Sequence, residues 1–382
     1  MSLFAVYAAA ASPLPLYDLY RMEDGFNYDH LALSAACYFL GAVWALLICG
    51  RLSSFIGRRP VSLLALFLAM LGCLMLMSIH NPQPLMLGRF LQGLSCGLAS
   101  TALSAWLIDT APASPAWLGS FMTSCGPMTG LTIGVLVAGA MVDFVPQARL
   151  TVFAVAIIIL LLCIALVAKG QETIARRQGG LFSLRPQLKL PPISRKAYPA
   201  AACAFITTWA FGGFYQAFGP VMAKEYMHSV SALAAGAVFA SLMAPSLLGA
   251  FLAGRLPNVH AQRWGLLFFA LAVGGAVLAL AQEKLYYFLA ASTLAGIAQG
   301  ITLTGSIQMM IGDIGIEERA GVISLIYATS YCGAALPTFV AGQLSDYFSI
   351  LQLASAYCVL AFAGSCVVLI LPSNSRNRSI DH

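Results

Sequence analysis

The feature that most constrains this chain is the length of its uninterrupted apolar runs. Residues 150–168 (LTVFAVAIIILLLCIALVA) and 61–79 (VSLLALFLAMLGCLMLMSI) contain no charged side chain. About twenty apolar residues are enough for a helix to cross the hydrocarbon of a bilayer. Of the 382 residues, 60% are hydrophobic and 9% charged, whereas a soluble domain carries roughly 25% charged residues. So few charges cannot coat a water-facing surface of this size, and lipid is the expected solvent. Residues that span lipid must satisfy their own backbone, so the runs are read as helices. The ten-residue alternating pattern of a membrane barrel is absent.

Twelve spans are expected, at 1–17, 31–50, 61–79, 85–109, 117–142, 150–168, 198–220, 231–253, 265–281, 286–311, 320–345 and 349–371. Basic residues orient them. One set of alternate loops holds Arg51, Arg58, Arg59, Lys169, Arg176, Arg177, Arg185, Lys189, Arg195, Lys196, Arg255, Arg263, Arg319, Arg376 and Arg378. The other holds only Arg21, Arg149, Lys224 and Lys284. The first set is expected in the cytoplasm, which places both termini there, in a multi-pass protein of the cell (plasma or inner) membrane. The first span begins at Met1, contains Pro13 and Pro15 and has no basic flank, so the natural reading frame is open to a longer start. No cleavable signal peptide is visible.

Residues 169–197 form the longest polar stretch, with seven basic residues and one acid, Glu172. They are read as a cytoplasmic linker between two six-helix bundles, 1–168 and 198–382. Its basic residues serve as topological anchors, with anionic lipid headgroups as the expected contact.

The two bundles share an internal repeat. Gly50-Arg51-Leu52 recurs as Gly254-Arg255-Leu256, and Asp109 as Asp313, each 204 residues on. Asp143 and Asp346 are 203 apart, and Gln92-Gly93 and Gln299-Gly300 are 207 apart. Four matches in order argue for a duplicated unit. Two similarly oriented halves suit rocking about a site between them.

Other chemistries lack their residues. The cysteines Cys37, Cys49, Cys73, Cys96, Cys125, Cys163, Cys203, Cys332, Cys358 and Cys366 lie in or beside apolar runs without zinc or redox spacing, as expected of small buried hydrophobes. His30, His80, His228 and His260 show no metal pattern. There is no Gly-x-x-x-x-Gly-Lys phosphate loop and no Ser/His/Asp arrangement. Neither an enzyme, a cofactor, a resident metal nor a nucleic-acid partner is expected.

The loop after the second span reads Gly50-Arg51-Leu52-Ser53-Ser54-Phe55-Ile56-Gly57-Arg58-Arg59-Pro60. It resembles the signature of the major facilitator superfamily, Gly-x-Leu-x-Asp-Arg-x-Gly-Arg-Arg. Gly50, Leu52, Gly57, Arg58 and Arg59 match, while Ser54 stands for the family's Asp and Phe55 for its Arg. The resemblance covers the whole chain and implies twelve transmembrane helices in two pseudo-symmetric bundles, working as a monomer. It also implies that this loop latches the halves at the cytoplasmic face. With Ser54 in place of Asp the latch at the start of helix eleven is expected to be weaker, and an ion pair of Arg58 or Arg59 with Asp109 would resemble the family's charge network. In the fifth span, Gly126-Pro127-Met128-Thr129-Gly130 and Gly134 form a smooth face that permits close helix approach. Its Gly-Pro-x-x-Gly core resembles the helix-five motif of the superfamily's drug:proton antiporters. Packing alone explains it equally well.

Arg89 lies inside the fourth span, in an Arg-x-x-Gln-Gly pattern with Gln92 and Gly93 that resembles the superfamily's helix-four arginine. Burying it at mid-membrane costs about 3 kcal/mol on insertion scales. Asp18 is its expected partner and the expected proton carrier. The competing reading puts Asp18 in an external loop and lets Arg89 reach the interface. By the resemblance, helices one, four, seven and ten line a central cavity, where Tyr17, Gln92, Trp209, Tyr215, Gln216, Gln299, Thr302 and Gln308 are the candidate contacts. Such a lining suits a neutral or weakly polar, partly apolar solute. The expectation is therefore secondary active transport of a small organic solute by alternating access, proton-coupled and exporting. The alternatives are an importer or facilitator of a sugar-like or organic metabolite, or a non-transporting membrane sensor.

Overall fold

The computed structural model describes residues 1–110, 117–174, 190–312, 314 and 316–371. Among them every regular element is helical. Fifteen α-helices follow in order: α1 (Ser2–Ala11), α2 (Tyr17–Asp24), α3 (Tyr28–Cys49), α4 (Ser53–Ile56), α5 (Arg58–Met77), α6 (Pro82–Thr110), α7 (Trp117–Phe144), α8 (Ala148–Lys169), α9 (Pro192–Val221), α10 (Ala232–Met243), α11 (Pro245–Ala253), α12 (Asn258–Ala281), α13 (Leu285–Ile311), α14 (Ile316–Leu344) and α15 (Ile350–Ile370). A 3₁₀ turn, Leu14–Leu16, separates α1 from α2, and a π-helical turn, Met222–Tyr226, follows α9.

Among the described residues ten spans are long and apolar enough to cross a membrane, with α10 and α11 together making one of them. The remaining two positions of the twelve are α1 with α2, broken by Ser12–Leu16, and α9, which carries Pro199 and Pro220 in its interior. The helices overrun several expected spans. α9 begins at Pro192 rather than 198, with proline in the first turn where its missing N–H costs nothing, so the expected bundle boundary falls inside a helix. α12 begins at Asn258 rather than 265, because its polar end residues have partners: Gln262 Nε2 donates to Ser306 Oγ at 3.0 Å and Arg263 Nη2 to the Leu371 carbonyl at 2.7 Å. Hydropathy alone ends a helix where the polar interfacial turn begins. α15 starts with a capping box, in which Ser349 Oγ accepts from Gln352 N and Gln352 Oε1 accepts from Ser349 N.

The repeat reappears as packing. α6 lies on α3, and α13 lies on α10 and α11. A Cβ on Gly93 would run into the Tyr38 carbonyl, and one on Gly300 into the Ser246 carbonyl. Gly41 and Gly249 make the reciprocal approach, to Phe90 and Ile297. Asp313 lies outside the described residues. Between the halves, α14 packs on α3 and α10 on α7, the paired exchange expected of a pseudo-twofold.

The glycine face of α7 receives α1. Gly126 meets only the Leu3 side chain, whereas a Cβ on Gly130 would lie 2.7 Å from the Phe4 carbonyl and 2.9 Å from Tyr7 Cβ. Gly134 approaches the Ala8 backbone in the same way. A side chain can turn aside and a helix backbone cannot. Gly130→Ala should therefore destabilise the protein by about 1–3 kcal/mol and Gly126→Ala by much less, read as melting midpoints of the purified protein in detergent. Equal midpoints would contradict the packing.

Candidate transport pathway

The candidate pathway is built around the break in the first span. In an unbroken helix the Ala9 carbonyl would accept from residue 13, but Pro13 has no N–H. The chain tightens instead into the 3₁₀ turn, with Leu16 N donating to the Pro13 carbonyl. The last carbonyls of α1 are thus left to other partners, and α6 supplies them. Gln92 Nε2 donates to the Ala9 carbonyl at 2.9 Å, and Arg89 Nη1 donates to the Ala10 carbonyl at 2.5 Å and to Gln92 Oε1 at 2.7 Å. The Arg89 side chain is fully buried, with its guanidinium 4.6 Å from the Tyr38 ring centroid. A helix C-terminus carries partial negative charge, and the ring face attracts a cation. Together they hold a charge that, among the described residues, no carboxylate pairs with.

This corrects the expected Asp18–Arg89 pair. Asp18 lies beyond the break, on α2, and its carboxylate accepts from Lys224 Nζ at 2.7 Å. Next to it Arg21 Nη1 pairs with Glu225 Oε1 at 3.2 Å, and the Tyr28 hydroxyl donates to the same carboxylate. Both ion pairs join the first half to the second. At the same end of the bundle, Asp143 caps α10, accepting from Ser231 Oγ at 2.6 Å and from the backbone N–H groups of Ala232 and Leu233. α2 is also tied back to its own half, since Arg149 pairs with Glu23 at 3.2 Å and with Asp24, and donates to the Ile79 carbonyl at 2.9 Å. Among the described residues, every ion pair between the halves lies at this end.

At the centre an aromatic chain crosses between the halves. Tyr38 and Phe39 on α3 are 5.4 Å apart, Phe39 and Tyr331 on α14 are 6.1 Å apart, and Tyr331 meets Trp209 on α9 edge-on at 4.8 Å. Tyr327 is 6.3 Å from Tyr331, and the Tyr7 hydroxyl on α1 donates to the Cys96 carbonyl at 3.3 Å. Of the sequence candidates only Trp209 belongs to this chain, while Gln92 stands beside Arg89. Tyr215 stacks on Phe288 at 5.6 Å and bonds Ser292, inside the second half. Tyr17 bonds Ser34 at 3.0 Å and Thr302 bonds the Ala298 carbonyl at 2.8 Å, both buried in helix packing. Gln216 is buried, Gln299 is buried with Oε1 unpartnered, and Gln308 is exposed at the end of α13. Tyr7, Tyr38, Phe39, Tyr327 and Tyr331 were missed because an aromatic residue in an apolar run reads as core. The i, i+4 spacing of Tyr327 and Tyr331 on one helix face was the available signal.

At the opposite end, the loop of α4 closes on its own half. Arg58 Nε pairs with Asp109 Oδ2 at 3.2 Å, and Arg58 Nη1 donates to Ser53 Oγ at 2.9 Å and Ser54 Oγ at 3.3 Å. Ser54 thus serves Arg58, while the side chains at the start of α14 lie outside the described residues. Gly50 ends α3, and Gly57 turns the chain with φ +109°, where a side chain would strain and would strike Glu172. Glu172 is the partner that sequence reading passed over. Its carboxylate caps α5, accepting from Arg58 N at 2.8 Å and Arg59 N at 3.0 Å. Burial pushes this carboxyl up, but the backbone N–H groups of Arg58, Arg59, Ile174 and Thr173 outweigh it and hold it below the usual carboxylate range. Of the basic linker residues, Arg176, Arg177, Arg185 and Lys189 lie outside the described residues, as do Arg376 and Arg378. A lowered folded-state pKa contributes stability above the unfolded carboxylate pKa, and that stability is lost as pH falls through the folded value. The melting midpoint of Glu172→Gln should therefore lie below that of the unmodified protein at neutral pH, and the gap should close below the usual carboxylate range. A gap independent of pH would contradict the cap.

Comparison with known proteins gives one consistent family. The family model described as Major Facilitator Superfamily matches residues 1–197 and 200–381. An uncharacterized transporter of Rickettsia felis is 34% identical over 77 residues, covering 20% of this chain and 19% of that protein. The multidrug resistance protein MdtL of Klebsiella pneumoniae is 28% identical over 86 residues, 22% of each chain. Sugar transporter ERD6-like 8 of Arabidopsis thaliana is 28% identical over 90 residues, 24% of this chain and 19% of that one. The chain thus spans about a fifth of the length of these curated relatives. A crystal structure of a mutant of the nucleoside transporter NupG superposes with a TM-score of 0.75 at 10% identity, covering 97% of this chain and 98% of that one. At that identity the likeness speaks for the fold.

Proposed function

The chain belongs to the major facilitator superfamily, and we propose that it exports a small organic solute by alternating access, coupled to protons. The observation that carries this reading is the ionic clasp at the α2 end. Asp18–Lys224 and Arg21–Glu225 hold the halves together there, while the Arg58–Asp109 pair at the α4 end stays within one half. By the basic-residue asymmetry the α2 end faces outward and the α4 end, with both termini, faces the cytoplasm. The conformation is then the inward-facing one, closed outside, in a monomer of the cell membrane. Residues 1–168 and 198–382 act as the two rocking units, joined by the basic linker 169–197 against anionic lipid headgroups.

Export is supported by the Gly126-Pro127-x-x-Gly130 face, which seats α1 against α7, and by the likeness to a multidrug resistance protein. Coupling is assigned to Asp18, although its partner is Lys224. Of the carboxylates in the clasp it is the one on the broken first span. Outward opening has to separate Asp18 from Lys224, and a free Asp18 facing the outside can take up a proton.

Proteoliposomes with an imposed pH gradient, tested on a panel of drugs, sugars and amino acids, check this reading. Gradient-driven movement of a panel member out through the α2 side is expected. Asp18→Asn should abolish the gradient-dependent component and leave substrate exchange across the membrane intact. Unchanged proton coupling in that variant would overturn the role of Asp18, and flux in the opposite direction would overturn export.

A further inference from the structure

The Arg89 guanidinium has one more property that its structural bonds leave unexplained. Nη1 is engaged by the Ala10 carbonyl and Gln92 Oε1, but Nε and Nη2 have no hydrogen-bond partner. These two nitrogens share one edge of the planar group, the edge whose parallel N–H bonds match both oxygens of a carboxylate. Unpaired donors on a buried charge are costly. The cost is maintained here at the point where the aromatic chain begins, because Tyr38 lies under the guanidinium and leads through Phe39 and Tyr331 to Trp209. Among the described residues no Asp or Glu forms an ion pair with Arg89, and Asp18, Asp24, Asp109 and Glu225 are paired elsewhere.

We infer that the free Nε/Nη2 edge of Arg89 is an anion subsite, and that the transported solute is an aromatic carboxylate whose ring lies against the Tyr38–Phe39–Tyr331–Trp209 chain. The inference rests on the transport reading and names its substrate class. A fixed buried cation repels organic cations. An uncharged analogue leaves the free edge unpaired, so it gains the ring contacts and not the fork.

Equilibrium binding to the purified protein in detergent tests this, with benzoate, benzamide and benzyltrimethylammonium as probes of one ring and three charges. Benzoate should bind saturably and at least about tenfold more tightly than the other two, as expected for bonds to a charged group. Arg89→Gln should bring benzoate down to the affinity of benzamide, whose own affinity should not change. Arg89→Lys keeps the charge without the fork and should fall between. A purely structural Arg89 would weaken all probes alike. The inference fails if the unmodified protein does not bind benzoate, if benzamide binds as tightly, or if either variant retains a normal melting transition and full benzoate affinity. The comparison among probes on the unmodified protein decides the matter even where neither variant folds. No gradient is involved, so a negative result leaves the export reading standing. Failed export with selective benzoate binding removes only the direction of transport.

Discussion

Pro13 removes the donor that the Ala9 carbonyl would have met, and the break into a 3₁₀ turn leaves the last carbonyls of α1, Ala9 and Ala10, without backbone partners in lipid. Arg89 and Gln92 meet them from α6. Much of the structure follows from that junction. Below it, α1 is free to lie close on the glycine face of α7. Above it, α2 points its charges at the second half. The cation that meets the broken end of α1 is also a buried charge inside the bundle. The break after α1 therefore links helix geometry to electrostatics.

Each half solves the same packing problem with the same device. Glycines on α3 and α6 let backbones approach without a Cβ between them, and α11 and α13 repeat the arrangement about two hundred residues later. Lipid offers no hydrophobic drive for helix association, so close approach and interhelical hydrogen bonds have to supply it. The polar bonds are correspondingly local: Ser95 Oγ to the Ala65 carbonyl in the first half, and Ser365 Oγ to the Leu266 carbonyl in the second. What differs between the halves is the charge inside the membrane. The first half places Gln92 on a free carbonyl, while its counterpart Gln299 has an unpartnered Oε1 and no arginine beside it.

The two ends of the bundle are held by different kinds of contact. Side chains on long stems make the ion pairs between the halves at the α2 end. The α4 end is organised by backbone capping: Glu172 fixes the start of α5 through main-chain N–H groups, and Gly57 is needed where that carboxylate approaches. Ser54, which lacks the family's charge, is drawn into this local network through Arg58. An aspartate in its place would have added charge beside Asp109, so the departure from the family pattern is compatible with the Arg58–Asp109 pair.

The sequence by itself determined the solvent, the helical class, the duplication and the loop signature, because each is written in local order: run length, charge density, equal offsets and a contiguous motif. Arg89 and Gln92 were legible as polar exceptions in an apolar run, and the break was legible in Pro13 and Pro15. Only the tertiary structure decided who meets whom. Asp18 and Arg89 both lie near the same end of their spans, yet the break turns one toward Lys224 and leaves the other on the Ala10 carbonyl. Tyr331, Trp209 and Tyr38 lie on three helices far apart in the chain, and an aromatic residue looks the same in sequence whether it faces lipid, core or pathway. Pairing across helices is set by rotation and depth, and neither is written in the order of residues along one strand of chain.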